Sequence, residues 1–205
     1  MNLATWLTVV SICALGAMSP GPSLVVVLRH TLAGGRVHGL VAAVAHGLGI
    51  GIYALLCISG LAFLVTELPP AYLALQWGGA AYLAWLGWKG LTATPAPDDA
   101  LPQAQTTGNA ARDGFAIAFL NPKVAVFFIA LFSQVIGPDT GTLARLGYAA
   151  TALVIDMGWY AVVAWLMSTP RWLARLQRNA VWFERLFGLI LVALAGRLVW
   201  QALSG

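Results

Sequence analysis

Two proline motifs and three ionisable residues hold most of the chemistry that this 205-residue sequence offers. In Ser19-Pro20-Gly21-Pro22 and in Asn121-Pro122-Lys123, a residue suited to capping a helix precedes a proline. Ser and Asn are favoured N-caps, and proline is favoured at the first helical position. Inside a helix, proline removes a backbone hydrogen bond and clashes with the preceding turn. Each motif therefore predicts a break at which a helix restarts, with Ser19 and Asn121 as the caps. The free N–H groups and positive dipole end of a restarted helix attract anions, and a carboxylate fits that description. A single motif of this kind reads equally as a kink; two related motifs favour a site.

Lys123 adds charge to the second motif. A lysine near the centre of a bilayer costs roughly 2.5–3.5 kcal/mol, so it needs a partner or a role. Asp156 is the one acid placed as deeply, and the two either neutralise each other or hold the carboxylate and amino group of a zwitterionic solute. His46, in His46-Gly47-Leu48-Gly49-Ile50-Gly51, is a proton-relay or solute-contact candidate, and Gly47 with Gly51 predicts close approach of a second helix. The candidate solute-binding set is thus Ser19, Pro20, Gly21, Pro22, His46, Asn121, Pro122, Lys123 and Asp156.

The elements that carry these residues are membrane spans. The chain is 60% hydrophobic and 9% charged, whereas soluble domains are about a quarter charged. Stretches of about 20 apolar residues span a bilayer. Six are read here: Leu3 to Leu28, Gly39 to Val65, Tyr72 to Leu91, Phe115 to Ile136, Leu143 to Met167 and Trp182 to Ala202. Little remains for a soluble domain, so residues 1–205 are expected to form one all-α membrane domain. The first span resembles a signal peptide in its small residues, but no Lys or Arg precedes Arg29, so the basic n-region is missing.

The net charge of +4 reports topology rather than a nucleic-acid partner. Connections 1–2, 3–4 and 5–6 hold Arg29 and Arg36, Lys89 and Arg112, and then Arg171, Arg175, Arg178 and Arg185, while the other side has Arg145 beside Glu67 and Asp139. The positive-inside rule then places these three connections in the cytoplasm and both termini outside.

Residues 92–110, with Pro95, Pro97 and Pro102, read as a linker between a first repeat at 1–91 and a second at 111–205. Gly79-Ala-Ala-Tyr-Leu-Ala-Trp-Leu-Gly87 and Gly188-Leu-Ile-Leu-Val-Ala-Leu-Ala-Gly196 share their glycine spacing, and helices 1 and 4 each carry a proline break. Three spans per half give the halves opposite orientation, the inverted-repeat layout of many secondary transporters.

Enzyme signatures such as H-E-x-x-H, G-x-S-x-G and the P-loop do not occur, and neither an enzyme nor a cofactor is expected. Two other readings stay open. Metal efflux would use His46, Cys57 and Asp156 as ligands, and a thiol-redox carrier would need Cys13 and Cys57 to meet.

In length and motif order the whole chain resembles the lysine exporter (LysE/RhtB) family of bacterial amino-acid exporters. The resemblance rests on Ser19-Pro20-Gly21-Pro22, His46-Gly47-Leu48-Gly49, the Gly79 to Gly87 segment and, most specifically, Gly114-Phe-Ala-Ile-Ala-Phe-Leu-Asn121-Pro122-Lys123. Family motifs often have Asn after Pro-Gly-Pro, where this chain has Ser23. The resemblance implies export of an amino acid or close analogue through the bacterial inner membrane, driven by proton exchange. Partners are then the solute and the lipid bilayer, and a homo-oligomer is compatible.

Overall fold

The computed structural model describes residues 3–19, 21–94, 109–137 and 139–169, with a discontinuous set of positions between 178 and 200. Pro20, residues 95–108 of the expected linker, Arg171, Arg175 and Arg197 lie outside the described residues. The elements are α1 (Leu3–Met18), α2 (Pro22–Glu67), α3 (Pro69–Leu91), α4 (Ala110–Leu120), α5 (Pro122–Phe132) and α6 (Thr142–Met167). Described positions between 178 and 200 are helical as well.

By length and composition, Pro22–Leu64 within α2 and all of α6 can cross a membrane among the described residues, and α4 with α5 form a further candidate bent by 54°. Both faces of these helices are apolar, so the interior is marked by small and polar side chains instead. On α6, Tyr148, Ala149, Ala152, Asp156, Tyr160, Val163, Ala164 and Met167 are buried at helical spacing. Leu146, Val154, Val162 and Trp165 face outward. A soluble helix would place charge there.

The expected first and second spans join without a loop. α2 runs from Pro22, in the last part of the first expected span, through the second, interrupted at Gly35 with φ 77 and ψ −177. That positive φ costs glycine little and L-residues much.

Glycines set the helix spacing. A Cβ on Gly47 would lie 2.6 Å from the Cβ of Met157, and one on Gly51 2.5 Å from Leu153 Cδ1, so α2 runs antiparallel against α6. This is the close approach expected from Gly47 and Gly51. On another face, a Cβ on Gly114 would lie 2.3 Å from the Ala42 carbonyl oxygen and one on Gly49 2.7 Å from Ala118 Cβ, so α4 runs parallel to α2. Gly87 and Gly188, from the two matched segments, also touch: a Cβ on Gly188 would lie 2.5 Å from the Gly87 oxygen.

Two apolar clusters result. One includes Val9, Ile50, Ala54, Phe127, Phe128 and Ala152. The other includes Val27, Ala42, Ala43, Ala110, Tyr160 and Val163. On α2 and α6, His46 and Asp156 fall between the two.

Candidate functional site

The first break differs from expectation in one respect. α2 starts at Pro22, and its N-cap is Gly21, extended at φ 176 and ψ −174, with no side-chain cap. Ser19 is therefore not the cap; its N–H donates to the Gly16 carbonyl at 3.2 Å and closes α1. Of the two prolines bracketing Gly21, the second takes the first helical position, which moves the cap onto a residue with no side chain.

The second break follows the sequence reading. Asn121 ends α4 and caps α5, its Oδ1 accepting from the Lys123 N–H at 3.0 Å, with Pro122 at the start of α5.

The two breaks meet. Asn121 Nδ2 donates to Ser23 Oγ at 3.0 Å, and Lys123 Nζ donates to Ser19 Oγ. Lys123 also reaches the other break directly, since a Cβ on Gly21 would lie 3.7 Å from its Nζ.

His46 joins this junction to α6. Its Nδ1 lies 2.6 Å from Asp156 Oδ2 and its Nε2 2.9 Å from Ser23 Oγ. An ionised carboxylate only accepts, so in the state where Asp156 is charged the proton is on Nδ1. In the neutral ring Nε2 then accepts from the Ser23 hydroxyl, which itself accepts from Asn121. The chain runs one way, from Asn121 through Ser23 and His46 to Asp156. The Tyr160 ring sits edge-on to His46, 5.0 Å between centroids.

Ser19, Ser23, His46, Asn121 and Asp156 are each at least nine-tenths buried. They line, with Gly21 and Lys123, a cavity of about 50 Å³ whose other walls include Cys13, Ile50, Phe127, Phe128 and Ala152. That volume holds a few waters at roughly 10–15 Å³ each.

Of the nine candidate residues, Ser19, Gly21, His46, Asn121, Lys123 and Asp156 line the cavity, while Pro22 and Pro122 stand at helix starts behind it. Pro20 lies outside the described residues. The carboxylate expected to meet Lys123 has His46 as its ion-pair partner. Cys57 is away from the site, on an apolar groove with Tyr53, Leu64 and Leu75. Both cysteines are free. Among the described residues no group of three His, Cys, Asp or Glu side chains is placed to hold a metal.

Tyr160 escaped the sequence reading, and Ser23 entered it only as a departure from the family motif. Ser23 directly follows Pro-Gly-Pro, and Tyr160 is one turn from Asp156 on α6; those positions were the available signals. A second polar cluster was also unforeseen: Asp113 Oδ2 accepts from Arg29 at 3.1 Å and lies 3.1 Å from His30 Nε2.

Comparison with known proteins agrees with the motif order. The LysE type translocator family matches residues 14–202. The threonine efflux protein of Escherichia coli (strain K12) is 27% identical over 194 residues, covering 91% of this chain and 93% of its own. The homoserine/homoserine lactone efflux protein of Salmonella typhimurium (strain LT2) is 35% identical over 161 residues, 77% of each chain. The cysteine/O-acetylserine efflux protein of Escherichia coli O1:K1 is 29% identical over 153 residues, 74% of this chain and 75% of its own. No solved structure matches. With the family pattern extending across nearly the whole chain and both proline motifs meeting at one buried site, this protein belongs to the LysE type translocator family.

Proposed function

We propose that the protein exports a small, uncharged amino acid from the bacterial cytoplasm in exchange for protons. The observation that carries this reading is the meeting of two broken helices at a cavity with one ammonium group, Lys123, and one acid, Asp156. A zwitterion complements such a pair and leaves no net charge buried. The named relatives export threonine, homoserine and cysteine or O-acetylserine, all of them small.

In this mechanism the solute carboxylate docks at Lys123, beside the start of α2, where unpaired N–H groups and the helix dipole add attraction. The solute ammonium takes the remaining acceptor capacity of Asp156. A proton entering the His46–Asp156 pair neutralises the same carboxylate, so proton and solute compete. Such competition is what exchange requires: one binds as the other leaves.

The spans alternate access. A straight helix the length of Pro22–Leu64, 43 residues, would run about 65 Å, twice the roughly 30 Å apolar thickness. The bend at Gly35 resolves this into the end of one span and the whole of the next. Together with α3, the bent pair, α6 and the helical positions after 178, this supports the reading of six spans. The two broken ones then hold matching places in two inverted halves that rock about the cavity. Basic connections face the cytoplasm and both termini face outward.

The test is uptake of radiolabelled L-threonine into proteoliposomes under an imposed pH gradient. Accumulation that is lost when the gradient is collapsed supports proton exchange. Uptake indifferent to the gradient contradicts it.

A further inference from the structure

The cavity is layered. Lys123 and Phe127 are four residues apart on α5, His46 and Ile50 four apart on α2, and Asp156 and Ala152 four apart on α6, and all six line the cavity. Residues so spaced share a helix face. The direction of each step also agrees. α2 and α6 are antiparallel, as the Gly47–Met157 and Gly51–Leu153 contacts require, so a forward step from His46 and a backward step from Asp156 lead the same way. α4 runs parallel to α2, as Gly114 against Ala42 and Gly49 against Ala118 require, and α5 continues from it through the bend. The forward step from Lys123 to Phe127 therefore joins the other two. On α1, Cys13 and Gly16 precede Ser19 and complete the ring.

Lys123, His46 and Asp156 thus each have a cavity-lining apolar neighbour one helical turn away, about 5.4 Å, on one common side. We infer that this second layer receives the solute side chain, and that Phe127, seated against Gly16, sets the longest side chain admitted. The inference rests on the amino-acid reading above. A solute whose charged ends engage Lys123 and Asp156 has its α-carbon in the polar layer, and its side chain has the apolar layer to enter.

Phe127, which lines the cavity together with Phe128, is itself nine-tenths buried. Its position depends on the absence of a side chain at residue 16: a Cβ there would lie 2.5 Å from Phe127 Cζ and 2.7 Å from Cε1. A methyl group at Gly16 must therefore push the ring away from α1. Ala152, the α6 member of this layer, adds only a methyl group to the wall.

The experiment compares L-alanine, L-threonine and L-leucine uptake in proteoliposomes carrying the full chain. Phe127→Ala should raise the leucine-to-threonine ratio about tenfold or more, the scale set by one or two methylene groups in an apolar pocket. Gly16→Ala should move selectivity the other way, lowering the threonine-to-alanine ratio. Ala152→Gly, a smaller change, should shift the leucine ratio in the direction of Phe127→Ala and serves if that variant does not fold. Ratios that stay constant while absolute rates fall would overturn the inference and leave the exporter reading standing. A wild-type protein that transports none of the three overturns both.

Discussion

Two histidines of α2 each pair with an aspartate from another helix, and the pairs differ in what surrounds the acid. His46 and Asp156 are 2.6 Å apart and His30 and Asp113 3.1 Å, with both histidines essentially buried. Asp113 also receives Arg29 at 3.1 Å and Arg112 at 3.4 Å. Its negative charge is already matched by guanidinium groups. Asp156 has only the imidazole as an ion-pair partner among the described contacts, and both nitrogens of that imidazole are engaged, one with Ser23. His30, by contrast, leaves Nδ1 without a hydrogen-bond partner. A carboxylate paired with arginine has little charge left for a solute or a proton. The same two residue types thus make a tie between α2 and α4 in one place and the proposed exchange site in the other.

The sharpest way to break this contrast is Asp156→Asn. The variant keeps the shape and loses the charge, so threonine transport driven by a pH gradient should fall about 10- to 100-fold, the range expected for losing a charged hydrogen bond. If Asp156→Asn transports normally, the exchange role fails. Lys123→Ala should follow, raising the threonine KM about tenfold while leaving the pH profile in place, because the proposed solute contact is lost and the His46–Asp156 pair is kept. A profile that shifts instead would tie Lys123 to the proton.

His46→Gln isolates the proton. Under the proposed exchange, protonation competes with solute, so threonine binding should weaken as pH falls; a glutamine cannot take the proton, and the dependence should flatten. Isothermal titration at several pH values reads this, and an unchanged dependence would locate the proton elsewhere. Asp113→Asn should have the smallest effect, about 1 kcal/mol or less of stability for a pair partly open to solvent, with wild-type pH dependence. Thermal unfolding of the detergent-solubilised protein measures the first, and a lost pH dependence would erase the distinction between the pairs.

Much of this was legible in the sequence. The expected span from Leu143 to Met167 is α6 to within one residue, and Asn121-Pro122-Lys123 announced both its break and its cap. The Gly47 and Gly51 spacing announced a close helix. What was hidden was the pairing. His46 and Asp156 are 110 residues apart in the chain, and in helices apolar on every face, periodicity does not reveal which side is inside. Ser23 was hidden for a related reason: a lone serine on a transmembrane helix becomes informative only when a histidine and an asparagine arrive from other elements. The cap at Gly21 turned on a choice between two prolines that local preference does not make.

The central claim is that solute and proton compete at Asp156. It is tested most directly by proton release from purified protein in weakly buffered detergent solution on addition of L-threonine. The account predicts release from the wild type and from Asp113→Asn, and none from Asp156→Asn. Release that persists in Asp156→Asn, or that disappears in Asp113→Asn alone, would contradict it.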